Sequence, residues 1–286
     1  MNKVKIGFIG QGFVGKNYAD DFEARGYAVI RYAKEKPYNK NKDAIKDCDI
    51  VFIAVPTPTT PKGYDASIIR KVLPLTGVGT IVVLKSTIFP GLTEKIQEEF
   101  PDRIVINSPE FLSEATASHD VSHPFVNIVG MTKETVEHKK AAKLVHSILP
   151  KAPKNFTMKS IEAEIIKYSH NCSGYTQIIF FNLIYDLSQK MGANWKTIEE
   201  AIKVDPFIPT RYASPVHKSG RGAGGHCFIK DFAALREVYE NMVADQSGIS
   251  ILKNMEKKNI ELLYSSGKDV EILEGVYNIS NISKDK

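Results

Sequence analysis

The chain has 286 residues, of which 43% are hydrophobic and 25% are charged, and its formal net charge is +5. This length accommodates one large domain or two ordinary ones, and the composition is typical of a soluble globular protein. The lysines are scattered and lack the interleaved aromatic residues of a nucleic-acid-binding surface, which argues against a nucleic-acid partner. No apolar run approaches the roughly 20 residues that span a bilayer, so we expect no membrane partner.

The cysteines indicate the compartment. Cys48, Cys172 and Cys227 show neither CxxC spacing nor an even disulfide framework. The N-terminus runs directly into a strand pattern and lacks a signal peptide's cleavage region. We therefore expect a reducing compartment, the cytoplasm.

Short β-branched runs alternate with helical patterns over the first half of the chain. Strands are predicted at 4–9, 27–32, 50–55, 79–86, 103–109 and 125–130. Helices are predicted between and after them at 15–25, 65–73, 92–99 and 133–149. This alternation predicts an α/β fold, a Rossmann-like parallel-sheet domain with right-handed crossovers over residues 1–152.

The second half is predicted to be a helical domain over residues 153–286. A helical segment without proline runs from about 159 to 191 and is apolar on more than one side, which is typical of burial in a domain or in a dimer interface. Gly192 is its predicted stop. Further helices are predicted at 195–202 and 230–241, and the polar stretch after Asn259 is expected to be loosely held. The long helix predicts a homodimer.

A glycine motif, Gly10-Gln-Gly12-Phe-Val-Gly15, ends the first predicted strand and opens a helix. In this context the glycines permit a tight turn and the close approach of a pyrophosphate, which helix N–H groups would bind. The motif predicts a dinucleotide site.

The acid expected at the end of the second strand of such a site is missing. Arg31, Tyr32 and Ala33 stand there instead. A tyrosine can stack or donate a hydrogen bond but cannot hold a ribose diol as a carboxylate would. Because Arg31 and Lys34 could favour a 2′-phosphate, NADP stays open beside NAD.

A second motif, Lys167-Tyr-Ser-His-Asn171, lies on the long helix. Residues four apart share one helical face, so an ammonium and an amide project toward a common spot. Desolvation in an apolar helix would favour the neutral amine of Lys167, as a catalytic group needs. A lysine that reaches the surface is the alternative.

A third motif, Gly224-Gly225-His-Cys227-Phe-Ile-Lys230-Asp231, places a cysteine just before a predicted helix. The glycines let the backbone approach a ligand, and the helix N-terminus and Lys230 would favour the thiolate. Asp231 could orient a water or take a proton. A buried, inert cysteine is the alternative.

A fourth motif, Ser108-Pro-Glu110-Phe-Leu-Ser-Glu114, follows a predicted strand. Ligands of open parallel sheets bind at the carboxyl edge, so its two carboxylates are candidates for acid–base chemistry. Solvated loop acids are the alternative.

Together and in this order, the four motifs resemble the UDP-glucose/GDP-mannose dehydrogenase family over roughly residues 4–245. The resemblance extends to the sequence VPTPT at 55–59, to KST at 85–87, to DPFI at 205–208 and to Phe181-Asn182. It implies an NAD-dependent four-electron oxidation of the C6 hydroxyl of a nucleotide sugar to a carboxylate. UDP-glucose to UDP-glucuronate is the first reading, with a UDP-N-acetylhexosamine or GDP-mannose as alternatives.

The resemblance also implies residue roles. Lys167 and Asn171 assist removal of the hydroxyl proton, and Cys227 captures the aldehyde as a thiohemiacetal that becomes a thioester. Water activated near Asp231 and Glu110 then hydrolyses the thioester. The implied catalytic residues are Cys227, Lys167, Asn171, Asp231, Glu110 and Thr87.

The implied binding residues form two further sets. Those for the cofactor are Gly10, Gln11, Gly12, Phe13, Val14, Gly15, Tyr32, Val55, Thr57, Thr87, Glu114 and Lys230. Those for the substrate are Glu110, Phe111, Leu112, Lys167, Asn171, Tyr212, Gly224, Gly225 and Cys227. No metal is implied, since His119 and His123 lie beside Pro124 in a loop context.

The chain also departs from the family pattern. Members normally carry a third domain that grips the nucleotide, and 286 residues are expected to leave no room for one. Phe207 stands where members usually have an arginine that reaches a neighbouring subunit's substrate. Arg211, Lys218 or Arg221 are candidates to replace lost phosphate contacts.

Two other functions remain open. A two-electron β-hydroxyacid dehydrogenase of the 3-hydroxyisobutyrate type would share the glycine motif and the helix, but it has no need of Cys227. A non-catalytic sugar-nucleotide-binding protein would have no use for a nucleophile.

Overall fold

The computed structural model describes residues 4–218 and 220–278. Numbered along the chain, the strands are β1 (Ile6–Ile9), β2 (Val29–Tyr32), β3 (Ile50–Ile53), β4 (Thr59–Thr60), β5 (Gly63–Tyr64), β6 (Ile81–Leu84), β7 (Ile104–Asn107), β8 (Asn127–Met131), β9 (Asn155–Lys159), β10 (Val216–His217) and β11 (Gly220–Arg221). The helices are α1 (Phe13–Ala24), α2 (Ser67–Val72), α3 (Leu92–Glu99), α4 (Ala117–Ser122), α5 (Val136–Ile148), α6 (Ser160–Lys190), α7 (Trp195–Val204), α8 (Gly225–Met242), α9 (Gln246–Ser266) and α10 (Val270–Tyr277).

The described residues divide into two compact units. The first comprises the residues up to Thr57 and Asp65–Lys167, and the second comprises Pro58–Tyr64 and the residues from Tyr168 onward. No helix of the described part of the chain is long and apolar enough to cross a membrane.

The first unit contains a seven-stranded sheet in the order β2-β1-β3-β6-β7-β8-β9. Neighbouring strands are parallel except β7 and β8, which are antiparallel. The central strands β1 and β3 are buried along their whole length, as expected for apolar strands that helices cover on both faces. The prediction of a Rossmann-like domain is confirmed, and the antiparallel step is an addition to it.

Aromatic packing fixes α1 against this sheet. Phe8 of β1 stacks on Phe52 of β3 with 4.8 Å between ring centroids, and Phe22 of α1 meets Phe8 edge-on at 5.4 Å. Burying each such ring contributes roughly 1.5–3 kcal/mol. The start of α1 is therefore held directly after the glycine motif that ends β1.

Strand β9 was not predicted from the sequence. It pairs in parallel with β8 over Asn155–Lys159, although its side chains are largely exposed. Period-two burial is the signal by which a strand is found, and an edge strand without a buried face lacks it. The sheet thus continues beyond the predicted domain boundary at residue 152.

The second unit is helical apart from the hairpins β4–β5 and β10–β11. The long helix was predicted correctly to within one residue at each end, and Gly192 follows it with a φ of +72°. One stripe of α6 is not buried, because Phe180, Leu183 and Leu187 are each about half exposed in the described chain.

The prediction of a loose chain after Asn259 is wrong as far as residue 277. Helix α9 runs on to Ser266, and α10 follows it. Leu263, Leu273 and Val276 pack with Ile229 of α8 in a buried cluster. The apolar residues here form two short groups, at 260–264 and 270–277, and the polar sequence SSGKD that separates them interrupts the helical periodicity. Residues 279–286, which the prediction also covers, lie outside the described residues.

Candidate active site

The glycine motif forms a tight turn between β1 and α1. Gly10 has a φ of +93°, and a Cβ there would lie 2.2 Å from the carbonyl oxygen of Ala54. A Cβ at Gly15 would lie 2.0 Å from the carbonyl oxygen of Gly10. A Cβ at Gly12 would meet none of the described atoms within 4 Å. Two glycines therefore permit the close packing of the turn, and the third borders open space.

That space fits the pyrophosphate of a dinucleotide. Helix α1 begins at Phe13, directly after the open glycine, so the N–H groups of its first turn, including Val14, border it. Gln11 donates from its side chain to the carbonyl of Gly10 at 3.1 Å, which leaves its own carbonyl oxygen facing Arg31. The residues present thus fit the phosphate-binding half of NAD, which the helix dipole would favour.

Other predicted cofactor residues stand at the same carboxyl edge of the sheet. The Gly10 N–H donates to the Tyr32 carbonyl at 2.9 Å, which joins the turn to the end of β2. The Ser86 hydroxyl donates to the Val55 carbonyl at 2.7 Å. The Thr57 hydroxyl donates to the carbonyl of Thr87 at 2.9 Å. These bonds fix the loops that follow β3 and β6.

The Lys167–Glu110 pair is a buried ion pair at this edge. The Lys167 Nζ donates to a carboxylate oxygen of Glu110 at 2.9 Å and to its backbone carbonyl at 2.7 Å. Only 6% and 8% of the two side chains are exposed. Lys167 therefore does not reach the surface, and its ammonium is paired rather than isolated among apolar groups.

Glu110 is held in its ionised form. Burial alone would raise the pKa of the Glu110 carboxyl, but the charge of Lys167, the Leu112 N–H at 2.7 Å and Lys85 together lower it. A carboxylate that stays ionised is suited to accept a proton or to orient a water.

Lys85 belongs to the same cluster, and the sequence analysis gave it no role. It is buried, its Nζ donates to the Ser108 hydroxyl at 3.0 Å, and it lies 4.4 Å from the ring centroid of Tyr18. Burial lowers the pKa of Lys85 to about 7, although Glu110 acts in the opposite sense. The feature of the sequence that could have identified Lys85 is its position directly after an apolar strand.

The rest of the Ser108–Glu114 segment divides between packing and solvent. Phe111 packs on Phe125 with 5.3 Å between ring centroids, and Leu112 contacts the core of the first unit. Glu114 is exposed.

In the second unit, Asp231 is hydrogen-bonded to one predicted catalytic residue, Asn171, and to one predicted cofactor residue, Lys230. The Asn171 side-chain amide donates to one carboxylate oxygen of Asp231 at 2.6 Å, and Lys230 makes a short hydrogen bond to the other. Asn171 and Asp231 are buried. The carboxylate of Asp231 therefore orients the side-chain amide of Asn171. The carbonyl oxygen of that amide can accept a hydrogen bond from a ligand.

Cys227 lies in the first turn of α8 and is exposed. The helix begins at Gly225, five residues before the predicted start, because two glycines read as a loop. The buried, inert alternative is wrong for this residue. It does describe Cys172, which is buried and whose pKa is raised by desolvation.

Three residues that the sequence analysis missed hold the glycine turn before Cys227. Asn259 accepts from the Ala223 N–H at 2.7 Å and donates to the Ala223 carbonyl at 3.0 Å. Lys268 donates to the Gly222 carbonyl at 2.9 Å, and Asp269 accepts from the Gly225 N–H at 2.8 Å. We call Asn259, Lys268 and Asp269 the turn clamp.

The clamp explains why Gly224 and Gly225 are glycines. A Cβ at Gly224 would lie 2.0 Å from a carboxylate oxygen of Asp269, and Gly225 has a φ of +81°. A cavity of about 840 Å³ opens beside this turn, and its lining includes His226, Lys230 and Asp269.

The remaining predicted ligands of the second unit differ in exposure. Tyr212 packs against Phe228 with 5.4 Å between ring centroids. Phe207 is 91% exposed. Arg221, a candidate for phosphate contacts, is engaged by Asp186 at 2.6 Å and by Asn182 at 2.8 Å. Its guanidinium is therefore already hydrogen-bonded to side chains of the same unit.

The histidine pair lies apart from these groups. His119 in α4 stacks on His123 with 4.5 Å between ring centroids. Within residues 4–218 and 220–278, no group of three or more His, Cys, Asp or Glu residues is placed to hold a metal ion.

Comparison with known proteins matches both halves of the chain to one family. The model of the UDP-glucose/GDP-mannose dehydrogenase family, NAD binding domain, matches residues 32–149, and that of its central domain matches residues 161–260. The UDP-glucose 6-dehydrogenase of Rickettsia prowazekii is 30% identical over 253 residues, which are 83% of this chain and 56% of that protein. The chain thus spans little more than half of that relative's length.

Solved structures show the same architecture. A UDP-glucose dehydrogenase from the archaeon Pyrobaculum islandicum matches with a TM-score of 0.75 and 25% identity, over 90% of this chain and 68% of that one. The 3-hydroxyisobutyrate dehydrogenase of Mycobacterium tuberculosis matches with a TM-score of 0.69 over 97% of this chain and 99% of that one. At 14% identity the second likeness concerns the fold alone.

Proposed function

The chain belongs to the UDP-glucose/GDP-mannose dehydrogenase family, and we propose that it oxidises the C6 hydroxyl of a nucleotide sugar to a carboxylate with NAD. UDP-glucose is the first candidate substrate, because relatives named UDP-glucose 6-dehydrogenase match over most of this chain. The observation that carries the proposal is an exposed thiol, Cys227, on a helix start that the turn clamp holds in place.

The reaction removes four electrons in two steps. NAD, when bound at the glycine motif, supplies the chemistry of a hydride acceptor in each step. In the first step the alcohol loses a hydride and its hydroxyl proton and becomes an aldehyde. Lys167 and Asn171 assist this step by hydrogen bonding to the sugar oxygen, with Thr87 and Asp231 holding a water that takes up the proton.

Cys227 makes the second oxidation possible. Its sulfur adds to the aldehyde carbon and gives a thiohemiacetal, which still carries a hydrogen on that carbon. Loss of this hydrogen as a hydride, together with loss of the proton of the thiohemiacetal hydroxyl to water, leaves a thioester on Cys227. The ammonium of Lys167 offsets the negative charge that develops on the sugar oxygen, and its burial strengthens that effect.

Hydrolysis of the thioester completes the cycle. A water attacks the thioester carbon, the carbon–sulfur bond breaks, and the acid leaves while the thiol of Cys227 is restored. We assign the activation of this water to Asp231 and Glu110, and the lowered pKa of Glu110 keeps that carboxylate ready to accept a proton.

We further propose that the protein forms a homodimer in the cytoplasm through α6. Phe180, Leu183 and Leu187 recur at helical spacing on one stripe, and each is about half exposed. Light scattering at micromolar concentration should give twice the mass of the chain. A monomer at that concentration would contradict the dimer.

A substrate panel tests the proposed activity. UDP-glucose, UDP-N-acetylglucosamine, UDP-N-acetylmannosamine and GDP-mannose are each incubated with NAD, and reduced cofactor and sugar acid are both measured. We expect acid from at least one, with UDP-glucose the best. Cys48→Ala is the matched control for a replacement of Cys227, because Cys48 is buried in the first unit and has no role in the proposed reaction.

The panel also separates the alternatives. One reduced cofactor per substrate, with activity on a β-hydroxyacid, would replace the proposal with the two-electron dehydrogenase. Tight binding of a nucleotide sugar without cofactor reduction would replace it with the non-catalytic protein.

A further inference from the structure

Arg31 is a buried arginine at the end of β2, beside the glycine motif. Its backbone pairs with Phe8 of β1, one position before the register pair of Tyr32 and Ile9. Its guanidinium lies 3.4 Å from the side-chain oxygen of Gln11, inside the glycine motif. The guanidinium therefore stands at the place where a dinucleotide site distinguishes a ribose hydroxyl from a ribose phosphate.

Two carboxylates of α1 already bind this guanidinium. The Nε and Nη2 of Arg31 donate to the two oxygens of Glu23 at 2.9 and 2.7 Å, a bidentate pair. The Nη1 donates to Asp20 at 2.6 Å. A guanidinium has five N–H donors in a fixed plane. In Arg31, three of them are directed to carboxylates and a fourth faces Gln11.

The charges of this cluster leave nothing positive for a phosphate at Arg31. One guanidinium faces two carboxylates, and Lys16 pairs with Asp20 at 2.7 Å, so the four groups sum to zero. Only 8% of the Arg31 side chain is exposed, whereas 45% of Asp20 and 47% of Glu23 are. A ligand that approaches from solvent meets the carboxylates before the guanidinium.

We infer that Asp20 and Glu23 make the site selective for NAD over NADP, because they bind the Arg31 guanidinium and so remove the positive charge that would otherwise bind a 2′-phosphate. These two acids thereby replace, from helix α1, the selectivity that an acid at the end of β2 gives to other dinucleotide sites. The inference concerns cofactor binding in the first unit, goes beyond the proposed oxidation, and does not depend on it.

The ionisation of the cluster supports this assignment. Burial alone would lower the pKa of Arg31, but the hydrogen bonds and charges of Glu23 and Asp20 raise it. The pKa of Asp20 is lowered by Lys16 and Arg31, against the effect of its partial burial. Arg31 and Asp20 are therefore both charged at neutral pH.

Binding of NADH and NADPH, followed by fluorescence at low ionic strength, tests the inference without substrate. We expect the unmodified chain to bind NADH at least about tenfold more tightly than NADPH, since the extra phosphate would lose water without gaining a free positive charge at Arg31. The double variant Asp20→Asn with Glu23→Gln keeps the polar contacts of Arg31 but removes the negative charge. Its preference for NADH should fall by about tenfold or more, mainly through tighter NADPH binding.

Two further variants separate the mechanism from a general change of the helix. Asp21→Asn, which removes an acid of α1 that pairs with Arg25 instead, should leave the preference unchanged. Adding Arg31→Gln to the double variant should abolish the gain in NADPH affinity, because the freed guanidinium is its source. Thermal unfolding of each variant identifies those that remain folded at the assay temperature, and ratios are compared among these.

Equal affinity of the unmodified chain for both cofactors would overturn the inference. So would a double variant whose preference is unchanged, or one that loses its selectivity regardless of Arg31. Binding of neither cofactor would overturn the cofactor site as well, and with it the proposed oxidation. Selectivity for NADH that survives in the double variant while the substrate panel succeeds would overturn only this inference.

Discussion

The Lys167–Glu110 pair of the first unit and Cys227 of the second are held in place by different means. The pair is buried, and each partner satisfies the charge of the other at 2.9 Å. Cys227 is exposed, and the turn before it is fixed by hydrogen bonds between its backbone and the side chains of Asn259, Lys268 and Asp269. Changes to the buried pair are therefore expected to cost stability as well as activity, and changes at the thiol only activity.

Replacement of Cys227 by serine gives the sharpest separation. A hydroxyl is a much weaker nucleophile toward the aldehyde, so formation of sugar acid should fall by about a thousandfold or more. Because the side chain is exposed, the free energy of unfolding should change by no more than about 0.5 kcal/mol. Acid is measured by chromatography and stability by urea unfolding. Unchanged acid production would remove Cys227 from the mechanism.

Glu110→Gln should affect both properties. The change leaves the Lys167 ammonium buried without its counter-charge, which costs about 3–5 kcal/mol. Glu114→Gln, in the same segment but exposed, is the matched control and should stay within about 0.5 kcal/mol. Equal stability of the two variants in urea would mean that the pair does not behave as buried.

Glu164 is a buried carboxyl whose hydrogen-bond donors are neutral groups, so its pKa shows the effect of burial. It accepts from the Gly91 N–H at 2.6 Å and the Thr93 N–H at 2.9 Å at the start of α3, and burial raises its pKa to about 7 against these bonds. A carboxyl with a raised pKa stabilises the fold below its unfolded pKa, and this contribution is lost as pH rises to about 7. The loss is at most about 3 kcal/mol.

The expected measurement is the free energy of unfolding from pH 4.5 to 7.5. The decline with rising pH should be flatter in Glu164→Gln than in the unmodified chain. Glu162→Gln, two residues earlier and exposed on α6, serves as the control. A curve for Glu164→Gln that matches the unmodified chain would show that the carboxyl does not titrate in this range.

A change in the turn clamp should cost less stability than a change in the buried Lys167–Glu110 pair. Asp269→Ala leaves the Gly225 N–H without its acceptor, at a cost of about 1–2 kcal/mol, and should slow acid formation by displacing Cys227. Asp269→Asn keeps an acceptor and should restore most of the rate. Glu271→Gln, on α10, is the control. If Asp269→Ala left the rate of acid formation unchanged, the clamp would have no part in placing the thiol.

Those parts of the molecule that depend on local patterns could be predicted from the sequence. The glycine motif, the buried strands and α3 follow from spacing and from β-branched runs, and α6 follows from the absence of proline over its length. Lys167, Asn171, Cys227 and Asp231 could be named as candidates because each lies in a motif. The hydrogen bonds of Lys167 to Glu110 and of Asn171 to Asp231 join motifs far apart in the chain, and the sequence did not predict them.

Pairings between residues distant in the chain could not be predicted in this way. Asp269 contacts Gly225 across a separation of 44 residues, and nothing in the sequence around it marks a clamp. The engagement of Arg31 by Glu23 depends on how α1 packs against β2, which periodicity does not specify. The early start of α8 was missed for a related reason, since paired glycines ordinarily favour a loop.

The stoichiometry of cofactor reduction tests the four-electron mechanism most directly. The chain is incubated with a limiting amount of the best nucleotide sugar from the panel and excess NAD, and NADH and sugar acid are counted at completion. Oxidation through a thioester on Cys227 predicts two NADH per acid and no free aldehyde. One NADH per substrate, with an aldehyde or ketone as the product, would contradict it.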